Sequence, residues 1–352
     1  MKKHFIKLLL LATGIVPITS YAEQHTTQSD EHLRGYVQSI FVHSYGLPKD
    51  SVAVKDGIII IDEQKIDGSN PDQIIEKTNL ATQHLNKKNI RQDKFVDIAM
   101  PGHSLFQPLI ADPKWPRFTV AYQRYLKDGA IKSAFAPNFG ASFPLYRIVK
   151  KETHAEWEIG VQAGLFGLMD IGTKPSALIN ADYYIAIPVT YSTGAWSGLI
   201  RGYHLSSHLG DEFMLTPEGK KTKRINLSYE GVDALLSYNF NSFRLYGGGG
   251  YLINRDPKYI KPRKVQVGGE YYWYNTFFNG KLRPVAGIDI KSEEMSRWYP
   301  GISCKVGVQL ENAALISNKV QFMLEYYSGK SIHGQFYNNK VRYIGFGIQG
   351  FL

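Results

Sequence analysis

The chain has 352 residues, 43% of them hydrophobic, with 41 basic against 31 acidic residues, a formal net charge of +10 and one cysteine. Beyond the first residues it has no run of about 18 apolar residues, which excludes a transmembrane helix, and the lone Cys304 excludes an intrachain disulfide. It also carries no G-x-x-x-x-G-K-[ST], H-E-x-x-H or C-x-x-C, so the usual signatures of nucleotide, zinc-protease and dithiol chemistry are missing.

Residues 1–22 read as a signal peptide: Lys2, Lys3 and Lys7 precede a Leu-rich stretch that ends in Ser20-Tyr21-Ala22, a small-x-small cleavage pattern. No cysteine follows it, so no lipid anchor is predicted. With those three lysines gone, the 41 basic and 31 acidic residues become a formal +7. In a secreted chain such a surplus points to anionic headgroups and lipopolysaccharide phosphates rather than nucleic acid. Residues 23–30 are polar and read as a flexible leader.

Residues 31–112 are predicted to form a small periplasmic module and its linker. Leu33, Tyr36, Val37, Ile40 and Phe41 recur at helical spacing, and Gly46-Leu47-Pro48 stops that helix. Ser51–Val54 and Gly57–Ile61 read as strands joined through Asp56-Gly57, a hairpin signal. Pro71 opens a second helix carrying Ile74, Ile75, Leu80 and Leu85, and Lys94–Met100 returns as a third strand. This order, with Val52-Ala53-Val54-Lys55-Asp56-Gly57, resembles a BON-type periplasmic domain and implies a packing or docking module without chemistry. Pro101, Gly102, Pro108, Pro113 and Pro116 mark the boundary that follows.

From 113 to 352 the predicted fold is an all-β transmembrane barrel of about twelve antiparallel strands. Alternating segments recur at 117–126, 133–146, 155–165, 178–190, 196–208, 225–239, 242–253, 264–276, 281–290, 301–311, 319–327 and 341–352. Charge tells the faces apart. Ser303, Lys305, Gln309 and Glu311 oppose Ile302, Cys304, Val306, Val308 and Leu310, and a charge on the lipid face costs about 2–4 kcal/mol, so the charged parity faces the lumen. Both signs occur there, as in Arg117, Arg201, Arg244, Arg283 and Lys305 against Glu156, Asp182, Asp233, Glu270 and Asp289, which predicts a filled or narrow interior. Gly247–Gly250 falls mid-strand, where glycine clears room for a luminal side chain. The aromatic, alternating tail Tyr337–Leu352 closes on the first strand and resembles the assembly signal of bacterial outer-membrane proteins. That resemblance implies the barrel assembly machinery as a partner.

One stretch carries candidate chemistry. Tyr203-His204-Leu205-Ser206-Ser207-His208-Leu209-Gly210-Asp211-Glu212, together with Phe106-Gln107-Pro108-Leu109-Ile110-Ala111-Asp112-Pro113 and Ser228-Tyr229-Glu230-Gly231, resembles the bacterial outer-membrane family catalogued as domain of unknown function 1207. The likeness covers most of the mature chain and implies a secreted barrel with no assigned activity. His204-x-Ser206 near a strand end also resembles the base and nucleophile of outer-membrane lipid A deacylases, which implies ester hydrolysis. If Arg201 and Asp233 set the luminal parity, then His204, Ser206 and Glu230 all face the membrane, with Glu230 placed to orient the imidazole. The basic residues Lys220, Lys221, Lys223 and Arg224 are positioned to bind lipid phosphates, and Asp211 and Glu212 offer oxygen ligands suited to calcium. No other cofactor is called for. The expected function is therefore a non-porin outer-membrane barrel that docks or contacts lipid. The alternatives are a lipid A ester hydrolase and a narrow channel.

Overall fold

The computed structural model describes residues 34–39, 41–42, 47–55, 58–61, 95–126, 131–172, 176–311 and 319–351. The leader, the polar stretch after it and the helix expected from Pro71 lie outside the described residues. The chain divides into two compact units, residues 1–93 and 94–352.

In the first unit, residues 34–39 and 41–42 are helical, with Val37 and Phe41 fully buried on the predicted stripe. Strands β1 (Val52–Lys55) and β2 (Ile58–Ile61) pair antiparallel as the Asp-Gly signal predicts, with Val52 opposite Ile61.

The second unit is a closed antiparallel barrel of twelve strands, β4 (Phe118–Tyr125), β5 (Ser133–Lys150), β6 (Ala155–Asp170), β7 (Ala177–Thr193), β8 (Trp196–Leu209), β9 (Leu227–Phe240), β10 (Phe243–Asp256), β11 (Arg263–Tyr272), β12 (Leu282–Glu293), β13 (Gly301–Leu310), β14 (Val320–Lys330) and β15 (Lys340–Gly350). Each strand pairs with the next, and closure runs from Tyr343 opposite Tyr125 to Gly350 opposite Phe118. The C-terminal strand thus has both edges covered and offers no template for aggregation. Among the described residues no helix is long and apolar enough to cross a membrane.

The side-chain distribution is inverted relative to a soluble protein. Ile185, Ile187, Ile200, Leu236, Leu324 and Phe346 are exposed on the outer wall, while Arg201, Asp233, Arg244, Glu270, Asp289 and Lys305 are buried inside. The inner charges are paired: Arg201 with Asp233 at 3.1 Å, Arg244 with Glu270 at 3.2 Å and Lys305 with Glu325 at 3.4 Å. Gly250 does clear room for a luminal pair, since a Cβ there would strike both Asp233 and Lys264, which meet at 2.8 Å. At the rim with the short turns, Trp196, Tyr238, Phe240, Phe243, Tyr271 and Trp273 form a continuous ladder of rings 4.6–6.1 Å apart. Such a belt belongs at a bilayer interface.

Two expectations for the stretch before the barrel need correction. The strand expected over Lys94–Met100 forms as β3 (Phe95–Ala99), but it pairs with Tyr146–Lys150 of β5 rather than with the β1–β2 hairpin. The proline-rich stretch after it, expected as a boundary, is a plug. Phe106, Leu109, Ile110, Ala111, Asp112 and Trp115 are almost wholly buried inside the barrel, where they pack on Leu199, Leu235, Tyr246, Val285 and Met323. Prolines stop the segment from forming a helix, so its carbonyls need partners inside the lumen. Arg117 supplies them, donating to the carbonyls of Leu109 (2.8 Å), Ile110 (3.0 Å) and Asp112.

Candidate functional site

The lumen is closed by specific bonds as well as by bulk. Asp112, fully buried, accepts from Lys291 Nζ at 3.0 Å, from Gln266 Nε2 at 3.1 Å and from the Lys114 amide at 2.9 Å. The Ile110 amide donates to Glu270 at 2.5 Å. Phe106 and Trp115 stack at 5.7 Å, and the guanidinium groups of Arg244 and Arg201 lie over them at 4.7 and 5.0 Å. Gly287 of β12 exists to let this segment pass: a Cβ there would sit 3.2 Å from Ile110 and 3.3 Å from Ala111.

At the long-loop rim two further segments fold over the mouth. The short helices Asp211–Leu215 and Pro217–Lys221 send Phe213 inward against Phe336, with ring centroids 5.9 Å apart. The 331–339 loop is held by its Gly334 amide on Asp182 (3.1 Å) and by Gln335 Nε2 on the carbonyls of Ser207 (2.7 Å) and Ile225 (2.8 Å). Within this loop, His333 is buried with no hydrogen-bond partner at either ring nitrogen. Burial pushes its pKa down to about 3, and Lys114 lowers it further while Asp182 opposes the shift. This imidazole is therefore neutral at physiological pH. Between the plug and the loops remains a polar chamber of about 110 Å³, with Lys114, Asp182, Lys264, Lys291 and Glu293 in its wall.

The predicted chemistry lies on the other side of the wall. Arg201 and Asp233 are opposite each other in register and point inward, so His204, opposite Glu230, points outward with it. His204 Nδ1 lies 2.8 Å from Glu230 Oε1, with both side chains about one third exposed. With the carboxylate ionised and the imidazole neutral, Nδ1 donates in this bond and Nε2 keeps its lone pair. That is the tautomer a general base needs. Ser206 shares this face, but its Oγ bonds His208 Nε2 at 3.3 Å and not His204. Two of the three predicted members are thus joined. The third is two residues along the same strand and engaged with a neighbour that sequence reasoning did not assign to it. His208 sits at the same two-residue offset from Ser206 as His204 does, and this symmetry was the available signal.

Lys220, Lys221, Lys223 and Arg224 are exposed on the same long loop, next to the strand that carries Glu230. Asp211 and Glu212 are exposed in the first turn of their helix. Among the described residues no group of three or more His, Cys, Asp or Glu is placed to hold a metal ion.

The fold and this arrangement define a class: a plugged outer-membrane β-barrel whose polar outward-facing residues cluster near one rim. The chain belongs to the family described as protein of unknown function DUF1207, which matches residues 49–351. No curated protein matches it. Among solved structures the chain is similar to outer membrane phospholipase A from Escherichia coli, at 14% identity over 70% of this chain and 94% of that one, with a TM-score of 0.46. It is also similar to the NanC porin (10%, covering 67% and 100%, TM-score 0.37) and to the translocator domain of the autotransporter NalP from Neisseria meningitidis (11%, covering 67% and 88%, TM-score 0.32). Each is a likeness of barrel fold.

Proposed function

We propose that this protein is a bacterial outer-membrane barrel, closed to bulk solute, that hydrolyses an acyl ester of a membrane lipid on its outer wall. Its first unit would be a BON-like docking module in the periplasm. The observation that carries the reading is the His204 Nδ1–Glu230 contact of 2.8 Å on the lipid face, with a serine two residues from the histidine. A carboxylate–imidazole pair has no structural task on a surface meant for hydrocarbon, and it costs stability there. Residues i and i+2 of a strand lie about 6.8 Å apart on one face, so rotation of Ser206 about χ1, away from His208, brings Oγ toward His204 Nε2. Catalytic hydrogen bonds of this kind are often long before substrate binds.

In the proposed reaction Ser206 Oγ attacks the ester carbonyl while Nε2 takes its proton, and Glu230 stabilises the imidazolium. The tetrahedral intermediate collapses to an acyl-serine and an alcohol, and the alcohol receives that proton. Water, deprotonated by the same nitrogen, then releases the fatty acid and restores the serine. Lys220, Lys221, Lys223 and Arg224 favour a substrate with phosphates at the same rim, which suits lipid A in lipopolysaccharide.

The test is the mass of lipid A from cells that express wild type, Ser206→Ala or Glu230→Ala at matched barrel levels. The wild type should remove one acyl chain, the serine variant none and the glutamate variant about a hundredfold less per unit time. Identical spectra from all three would reduce the cluster to a headgroup-binding feature of a lipid-contacting barrel.

A further inference from the structure

The outer wall beside His204 is not flat. Across four strands, Ala141 lies opposite Ala163, Ala163 opposite Ile185, and Ile185 opposite His204, so one cross-strand row leads from two alanines to the imidazole. The neighbouring row toward the long-loop rim is Phe139, Leu165, Tyr183 and Ser206, again in register. On the other side stands Phe143, opposite Val161. Phe139 and Phe143 are both half-exposed, whereas Ala141 is buried between them. The two alanines therefore form the floor of a trench with aromatic walls, about 610 Å³ in volume, and Ile185 and His204 line the end of it on β7 and β8. At the other end Phe118 meets Phe139 edge to face at 5.6 Å and closes it. From β8 to β4 is four strand steps, about 19 Å at about 4.8 Å per step.

We propose that this trench seats one fatty-acyl chain of the substrate and sets the chain length that the outward site accepts. The inference rests on the hydrolase reading given above and adds a substrate class to it: a long-chain acyl ester presented from within the bilayer. Three features select that occupant over a protein partner. The face is the one the barrel turns to lipid, its lining is carbon-rich, and its length is that of an extended long fatty chain with the ester left at His204 and Ser206. Phosphates on such a lipid would then lie beyond Ser206, on the side of the basic loop. The closed end at Phe118 gives the trench a maximum length, so chains that overrun it lose contact.

The experiment uses the purified full chain in detergent micelles with p-nitrophenyl butyrate and p-nitrophenyl palmitate. Ala163→Phe fills the trench at an outward position without altering charge, and Leu324→Phe, on another part of the lipid face, controls for added bulk. The expected result is a fall of about tenfold in the palmitate-to-butyrate ratio of kcat/KM for Ala163→Phe, the loss of about two methylenes of contact. Leu324→Phe should leave the ratio unchanged. An unchanged ratio in Ala163→Phe, with activity that still depends on Ser206, overturns the trench and leaves the hydrolase standing. If neither ester is cleaved above the Ser206→Ala background, the hydrolase reading fails and the trench is judged by native mass spectrometry. A co-purified lipid retained by wild type and Leu324→Phe but lost from Ala163→Phe upholds it, and equal retention overturns it.

Discussion

Replacing Asp112 by alanine should unlatch the plug without unfolding the barrel. The carboxylate is fully buried and holds Lys291 Nζ at 3.0 Å, Gln266 Nε2 at 3.1 Å and the Lys114 amide at 2.9 Å. Removing one partner of a buried pair costs about 3–5 kcal/mol, because the other charge is left without compensation. The Lys291 side chain is 21% exposed, so water can relieve it in part and the low end of that range applies. A cost of about 3 kcal/mol multiplies the open population of the segment by about 150. The Ile110 amide, which donates to Glu270 in the closed form, reports this directly through hydrogen exchange in micelles. Its protection should fall by about two orders of magnitude in Asp112→Ala and by less in Asp112→Asn, which keeps an acceptor but not the charge. Amides of the β10–β11 ladder should keep theirs. Protection of Ile110 within about threefold of wild type, at equal barrel stability, would refute the idea that Asp112 latches the plug.

The same plug predicts that wild-type barrel in planar bilayers shows little steady conductance and that Asp112→Ala adds brief openings; large stable steps from wild type would contradict the closed lumen. The His333 loop should loosen in mild acid. Its pKa is about 3 when buried and 6.5 when the loop is open, so the closed form loses stability as pH falls below about 6.5 and stops losing it near 3. At pH 5 the loss is about 2 kcal/mol. Lys114, Asp182, Lys305 and Glu325 lie around this ring, so the control is His333→Phe, in which the protection factors of the Gly334 and Gln335 amides, corrected for intrinsic exchange at each pH, should become nearly pH-independent between 5 and 8.

The strands were legible because the bilayer forbids what a soluble core only discourages. Arg201 and Asp233 could not face lipid, and with one of them fixed, every residue of β8 and β9 had its side assigned, His204 and Glu230 included. The register that sets those two opposite each other was also inferable, since antiparallel strands across one loop leave few alternatives. The plug was not legible by the same means. Residues 101–117 have no period of two or 3.6, and five glycines and prolines read the same in a linker as in a segment buried end to end. One signal did point to it: Phe106, Leu109, Ile110 and Trp115 are too apolar for a solvated linker. Arg117 was expected to meet a carboxylate and instead binds three carbonyls. Side-chain choice within one face escaped the sequence as well, because Ser206 has a histidine two residues away on either side and periodicity treats them alike.

The plug and the outward cluster have opposite relations to the barrel's defining constraint. Inside, charge is abundant and nearly every charge is matched, so the lumen behaves as a polar core whose ion pairs tie the plug to the wall. Outside, the membrane makes each polar group costly, and among the described strands the imidazole–carboxylate pair of His204 and Glu230 is a cost with no return in packing. A barrel selected for stability alone would carry aliphatic residues at both positions, as it does at Ile185 and Val232 on the same face. A filled lumen also removes the flexing that an open channel allows, so the two strands that hold His204 and Glu230 in register are braced from within by Arg201 on Asp233 and by Trp115 beneath them. Under the proposed function, bracing of that kind would keep the geometry of the outward pair to within a fraction of an ångström. If the outward pair is the proposed site, loss of the latch at Asp112 should be felt at His204 as well as in the lumen.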